Sequence, residues 1–229
     1  ENGPMGIMDL SAELGFHKST THRLVTSLQY MGYIRQDEES LKYALSLKFL
    51  EIGSKILEQT NMASLIHPSL KKLSEQTGET VHLVRREGTE AVYIDKVEST
   101  VSSIRMVSRV GSRIPLYCSG VGKALLAELP DPEIEDIWNS SEITSLTPYT
   151  VTSLSDLMDR IRGVREAGYA MDDEENEEGV RCIAVSIPDY HKEPVYALSI
   201  SAPVSRMTDA RIAELSTDVL TFKKDLEKT

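Results

Sequence analysis

Gly15-Phe16-His17-Lys18-Ser19-Thr20-Thr21-His22-Arg23 joins a tight turn to the polar front of an amphipathic helix, and its reading decides the fold. Upstream, Ile7, Leu10 and Leu14 recur at helical spacing, and Gly15 stands where a left-handed residue would end a helix. Downstream, Leu24, Val25, Leu28 and Met31 share one face, while at about 100° per residue Ser19, His22, Arg23 and Thr26 point the other way. The apolar stripe is expected to pack and the polar stripe to stay available. Gly32 closes the second helix. Tyr33-Ile34-Arg35 and Leu41-Lys42-Tyr43-Ala44-Leu45 then flank Gln36-Asp37-Glu38-Glu39-Ser40 as strands flank a hairpin turn. Helix, turn, helix and hairpin in this order predict a winged helix.

The chemistry of the polar stripe favours DNA as its partner. Ser19 and Thr20 can donate to phosphate oxygens from a helix start whose free amides already attract anions. Arg23 can reach a phosphate or the acceptor edge of guanine, and Lys18, Arg35 and Lys42 would add phosphate contacts. His22 has two readings: its neutral imidazole hydrogen-bonds a base, or it sits in solvent. The alternative for the whole unit is a helical module and hairpin that pairs with another protein.

A net charge of −11 first argues against a polyanionic partner, but the acid is unevenly spread. Residues 1–61 carry 6 Lys+Arg against 8 Asp+Glu, and residues 62–229 carry 19 against 28. A nearly neutral reading head binds DNA weakly by itself, so tight binding should need a dimer on two half-sites. The chain starts at Glu1 without an initiator Met. A winged-helix core ordinarily has one more helix ahead of this pair, and that helix is expected to be missing here.

At 229 residues the chain has room for one small and one medium domain, and 40% apolar with 27% charged residues is ordinary for a globular protein in water. No run approaches the roughly 20 apolar residues of a membrane span, and no signal peptide is expected. Cys118 and Cys182 are too few for a disulfide scaffold and lack zinc-site spacing, which leaves a reducing cytoplasm as the expected compartment, with no metal and no cofactor. The expected layout is a winged helix at 1–45, a linking helix at 46–62 and a second domain at 63–229. In the linker Leu47, Leu50, Ile52, Ile56 and Leu57 cover more than one helix face, and Gly53 costs about 1 kcal/mol against alanine unless close packing uses it.

The second domain alternates strands with helices, an α+β pattern. A helix is expected over Ser64–Gln76, with Pro68 early enough to be tolerated. A hairpin of Val81–Arg85 and Ala91–Ile94 surrounds Arg86–Glu90, so the sheet is partly antiparallel. Helices follow at Gly122–Glu128, Pro132–Trp138 and Leu154–Ala167, strands at Gly168–Met171, Cys182–Ile187 and Val195–Ala202, and a closing helix at Asp209–Leu226. Asp172-Asp173-Glu174-Glu175-Asn176-Glu177-Glu178 reads most simply as a solvated acidic loop.

Within this domain Tyr117-Cys118-Ser119-Gly120-Val121-Gly122-Lys123-Ala124-Leu125-Leu126 runs from small residues into a helix. It is either an anion site built from free amides or a tight turn that lets the helix pack closely. It is no nucleotide loop, because Tyr117 occupies the place of the first glycine and Ala124 that of the magnesium-binding hydroxyl. Ser199 and Ser201 alternate along a strand and so share one face. Cys182 reads as a small buried apolar residue or part of a pocket wall, and Asp172 as an ordinary loop acid or an acceptor for a ligand hydroxyl.

Gly15 to Leu24, Thr77-Gly78-Glu79-Thr80-Val81-His82-Leu83, Ser119-Gly120-Val121-Gly122-Lys123-Ala124 and Leu198-Ser199-Ile200-Ser201-Ala202-Pro203 resemble, in this order and spacing, the IclR family of bacterial transcriptional regulators. The resemblance covers nearly the whole chain. It implies a winged helix-turn-helix, a linking helix and a GAF-like or profilin-like effector domain with a curved antiparallel sheet. It implies double-stranded operator DNA and a small-molecule effector, a carboxylate or aromatic acid, as partners of a homodimer or homotetramer with no membrane attachment. Carried over by motif, Gly120 and Val121 would offer amides to a carboxylate, Ser199 and Ser201 would donate hydroxyl bonds, and Asp172 and Cys182 would line the other side. Met106, with Ile104 nearby, would supply the apolar wall, while Ser103 replaces an apolar residue of some relatives. Met8 replaces the Ser or Thr that often caps the first helix, a cap worth about 1 kcal/mol.

The resemblance implies a repressor more often than an activator. The competing functions are a cysteine-dependent hydrolase, for which His67, His82 and His191 lack motif context, and a ligand-sensing module that contacts protein.

Overall fold

The computed structural model describes residues 3–59, 61–99, 101, 107–189 and 191–226. The chain forms two compact units, residues 1–61 and 62–229.

The first unit holds α1 (Ile7–Leu14), α2 (Lys18–Tyr30), β1 (Ile34–Gln36), β2 (Tyr43–Leu45) and α3 (Lys48–Gln59). Gly15 takes φ 65°, and its amide and that of Phe16 bond the carbonyls of Ala12 and Ser11, which closes α1 as the sequence predicts. The cap at the other end differs from expectation. Gly6, not Met8, is the N-cap, and the Asp9 carboxylate accepts from the Gly6 amide at 3.3 Å. Ile34 to Gln36 pair with Leu45 to Tyr43 in antiparallel register, and Met5 adds a bridge to Tyr43. The wing tip is held by Asp37, whose Oδ1 accepts from the Ser40 amide at 2.8 Å and the Ser40 hydroxyl at 2.6 Å.

The predicted apolar stripe of α2 packs only in part. Val25 is buried together with Thr21, whose hydroxyl donates to the His17 carbonyl. Leu24, Leu28 and Met31 are instead 47%, 40% and 49% exposed, and with Leu10, Leu14 and Phe16 they line an open apolar groove.

The second unit runs α4 (Asn61–Thr77), β3 (Thr80–Glu87), β4 (Glu90–Val97), β5 (Arg113–Pro115), α5 (Gly120–Leu126), α6 (Asp131–Ser140), α7 (Leu154–Ala167), β6 (Ala170–Asp173), β7 (Val180–Ile187), β8 (Tyr196–Pro203) and α8 (Asp209–Leu226). Among the described residues its six strands form one antiparallel sheet in the order β5-β4-β3-β8-β7-β6. Alternation sorts the side chains onto two faces. Val81, Leu83, Ile183, Leu198 and Ile200 meet Ile66 and Leu70 of α4 and Leu215 and Val219 of α8. Val84, Ala91, Ala184 and Ala197 meet Val121 and Leu125 of α5, Ile134 of α6 and Leu157 and Ile161 of α7.

Close approach of α5 to the sheet rests on small residues. A Cβ on Gly122 would stand 2.2 Å from the Leu116 carbonyl oxygen, so the packing reading of this glycine holds. Gly53 has no such reason, since nothing lies within 4 Å of its would-be Cβ. The acidic run is not a simple solvated loop: Asp172 belongs to β6, and Asp172 and Glu175 are 3% and 2% exposed.

Candidate functional site

In the first unit, α2 begins at Lys18, which puts Ser19 and Thr20 in its first turn. Lys18, Ser19, Thr20, His22, Arg23 and Thr26 are all exposed, as are Arg35 on β1 and Lys42 just before β2. Thr26 Oγ1 lies 3.4 Å from His22 Nδ1, a contact between successive turns of the outward face. Among the described residues Lys18, Arg23 and Lys42 have no acidic partner, so their charge is available to an anion. Every residue chosen from sequence for a DNA surface therefore lies on the outside of this unit.

In the second unit, cross-strand register builds the other site. Asp172 of β6 pairs with Cys182 of β7, and Cys182 pairs with Ser201 of β8. Ser199, two residues from Ser201, pairs with His82 of β3. All four predicted residues thus face α5, the side on which Ala184 and Ala197 pack. Gly120, at the start of α5, is fitted against them: a Cβ there would stand 3.5 Å from the Asp172 Cβ and 3.5 Å from the Ala184 Cβ. Ser119 caps α5, accepting the Gly122 amide at 3.1 Å and the Lys123 amide at its carbonyl. The Gly120 and Val121 amides precede these and have no helical acceptor. Met106, Ile104 and Ser103 lie outside the described residues.

His82, Tyr93 and Cys182 are uncharged here. Burial pushes the Asp172 carboxyl up to about 7, against the opposing pull of the Lys123 ammonium and the amides of Glu175 and Asn176, which donate to its Oδ1 at 2.8 and 3.3 Å. Burial, with Asp172 nearby, also pushes the Cys182 thiol well above its ordinary range, and burial holds the Tyr93 phenol protonated. A thiol in this state is no nucleophile at neutral pH. His82 is 2% exposed, and its burial and then the Lys96 charge lower its pKa to about 3, so the ring is neutral. Its Nδ1 lies 3.3 Å from Ser201 Oγ and 3.5 Å from Ser199 Oγ, its Nε2 lies 2.7 Å from Ser108 Oγ, and the Tyr93 ring stands edge-on at 5.2 Å.

Sequence reasoning missed His82, Tyr93 and Lys123 as part of this face. The signal for His82 was available: in Thr80-Val81-His82-Leu83-Val84 it is a polar residue centred in a strand otherwise fit for a core. Among the described residues no group of His, Cys, Asp and Glu could hold a metal ion, and no helix is long and apolar enough to cross a membrane.

Residues 54–227 fit the family described as bacterial transcriptional regulator IclR C-terminal, and residues 1–38 fit the IclR helix-turn-helix domain. The chain belongs to the IclR family. It is a DNA-binding transcriptional regulator of the α+β winged-helix and effector-domain architecture, and not an enzyme. The acetate operon repressor of Salmonella typhimurium is 37% identical over 227 residues, covering 98% of this chain and 82% of that protein. The regulator KdgR of Escherichia coli is 38% identical over 214 residues, covering 93% and 81%. The crystal structure of the Thermotoga maritima IclR superposes with a TM-score of 0.77 at 34% identity, covering 99% of this chain and 90% of that one.

Proposed function

We propose that this IclR-family chain is a repressor whose grip on operator DNA is set by a small carboxylate held on the α5 face of its sheet. In this reading residues 1–45 read DNA, 46–62 link, and 63–229 bind the effector and the second subunit of a homodimer or homotetramer acting in the cytoplasm. Lys18, Ser19, Thr20, Arg35 and Lys42 contact phosphates, while His22, Arg23 and Thr26 reach base edges. Ser199, Ser201 and the amides of Gly120 and Val121 donate to the carboxylate, Asp172 accepts from a hydroxyl of the ligand, and Cys182 and Met106 shape the walls.

The observation that carries the effector reading is the convergence of Asp172, Cys182, Ser199 and Ser201, from three strands, on one buried face opposite Gly120. Typical coupling of about 1–3 kcal/mol between effector and operator sites changes DNA affinity roughly 5- to 150-fold. The test is a titration of a labelled promoter fragment with the full chain, with and without a panel of small carboxylates that raise its melting temperature. Saturable, salt-sensitive, sequence-selective binding that one of these acids releases is the expected result. Binding without sequence preference removes the operator, and binding strengthened by the acid removes ligand-released repression.

A further inference from the structure

We propose that the effector site takes its carboxylate together with one proton, which the ligand and the Asp172 carboxyl hold between them, so that effector binding weakens as pH rises. The inference rests on the carboxylate reading of the site and deepens it: the hydroxyl that Asp172 meets is the acid's own.

The geometry sets two carboxylates on one face. Asp172, Cys182 and Ser201 stand side by side on β6, β7 and β8. Neighbouring strands lie about 4.8 Å apart, so an anion seated over Cys182, between Ser201 and the start of α5, also lies beside Asp172. Gly120 keeps that approach close, since its would-be Cβ stands 3.4 Å from the Asp172 amide nitrogen. Asp172 is 3% exposed, and its Oδ1 already accepts from the amides of Glu175 and Asn176. Its Oδ2 has no hydrogen bond among the described residues and is the oxygen left for a ligand.

Among the described residues that act on Asp172, no cation is left to balance a second carboxylate. Lys123 of α5 is the positive charge felt by Asp172, and it is bonded to Glu175 in the loop after β6. Lys96 of β4 acts on His82 and pairs with Glu98 at 3.2 Å. Glu177, from the same loop as Glu175, adds negative charge that reaches Cys182 and Tyr93. The other groups on this face carry no charge: Cys118 ahead of α5, Cys182 of β7 and Tyr93 of β4 are protonated, and His82 of β3 is neutral. An ionised Asp172 is thus unmatched before any ligand arrives, and burial already lifts its carboxyl to about 7. Two adjacent carboxylates shielded from water share one proton, because both cannot stay ionised. The acid anion, one proton from solvent and the ionised Asp172 then become a single O–H···O pair with one negative charge.

The test is calorimetric titration of the full chain with propionate and with benzoate, acids that carry one carboxylate and no other polar group, at pH 6, 7 and 8 in buffers of different ionisation enthalpy. The slope of observed heat against buffer ionisation enthalpy counts the protons taken up. The expected uptake is about a tenth of a proton at pH 6, about half at pH 7 and about nine-tenths at pH 8, with affinity falling by up to about tenfold per unit above pH 7. D172N, whose side-chain oxygen still accepts the Glu175 amide while its NH2 donates to the acid, should bind without proton uptake and with an affinity flat across this range. Aspartate carboxyl-carbon NMR of the parent gives the same answer without a variant: one aspartate should move to its protonated position at pH 8 when the acid is added. Binding without uptake at pH 8, dependent on Ser199 and Ser201, would leave the carboxylate reading standing and overturn the shared proton. Uptake that persists in a folded D172N puts the proton on another group and also overturns it. Binding of neither acid would overturn the carboxylate reading and this inference with it, while leaving operator binding untouched.

Discussion

Lys123 and Glu175 form an ion pair from which water is almost excluded, with 2% and 3% of the two side chains exposed. Glu175 Oε2 is a buried atom without a hydrogen-bond partner among the described residues. The pair ties α5 to the loop after β6, where the Glu175 amide also holds Asp172 and the Glu175 carbonyl accepts from Thr150 at 2.6 Å. Removing one partner leaves a buried charge uncompensated, which typically costs about 3–5 kcal/mol. K123M should therefore lower the stability of the second unit by that order, and adding E175L should recover most of it. Trp138, the chain's single tryptophan, packs edge-on against Tyr117 in this unit, so its fluorescence during urea unfolding gives the comparison. Equal losses in the single and double variants would show that the pair is not what holds the loop.

Asp172 makes the second unit sensitive to pH. Its folded pKa of about 7 exceeds the value of about 3.9 in an unfolded chain. The folded state thus binds the proton more tightly, its contribution to stability is full below about pH 4, and it is lost as pH rises to about 7, at no more than about 1.4 kcal/mol per unit. Lys123 and the Glu175 amide oppose this shift, and the charge of the Glu175 carboxylate adds to it. D172N should gain on the parent as pH rises from 5 to 8, read as the difference in Trp138 unfolding midpoints. A constant difference would show that Asp172 ionises as it does in water.

Two helix glycines should respond in opposite directions. Nothing lies within 4 Å of a Cβ on Gly163, inside α7, so G163A should stabilise by about 0.5–1 kcal/mol. On Gly122 the same methyl would strike Leu116, and G122A should sharply lower the melting temperature. A G122A protein as stable as the parent would mean that α5 can move off the sheet at little cost.

Arg23 is exposed on α2 and has no acidic partner among the described residues. R23A should weaken operator binding while effector-induced thermal shifts stay unchanged. If its contact is a phosphate, the slope of log affinity against log salt should fall by about 1, and if it is a guanine, about 1–3 kcal/mol of sequence preference should go instead. Unchanged affinity and slope together would take Arg23 off the DNA surface.

Local chemistry made much of the fold legible. The predicted bounds of α7 and α8 coincide with those observed, and for α7 the reason is visible: Ser153 caps its start and Gly168, at φ 78°, ends it. Strand β5 went unseen because it is three residues long and ends in Pro115. The half-packed face of α2 was also beyond periodicity, which says that Leu24, Leu28 and Met31 share a side but not what covers it. In the candidate site, spacing gave Ser199 and Ser201 a common face, but only the pairing of β8 with β3 brings His82 to them. The burial of Lys123 and Glu175 depends on α5 meeting a loop some 50 residues away, and charge in a sequence reads as solvated until such a contact exists.

The row Asp172, Cys182, Ser201 crosses three strands, one residue from each. Accuracy in such a row comes from hydrogen-bond ladders rather than from side chains. Slipping β7 by one position would turn Cys182 and Ala184 away and present Arg181 and Ile183 to the α5 face instead. If this row is the proposed effector wall, its chemistry is tuned by exchanging side chains at fixed rungs, since an inserted or deleted residue in β7 would rewrite the whole row at once.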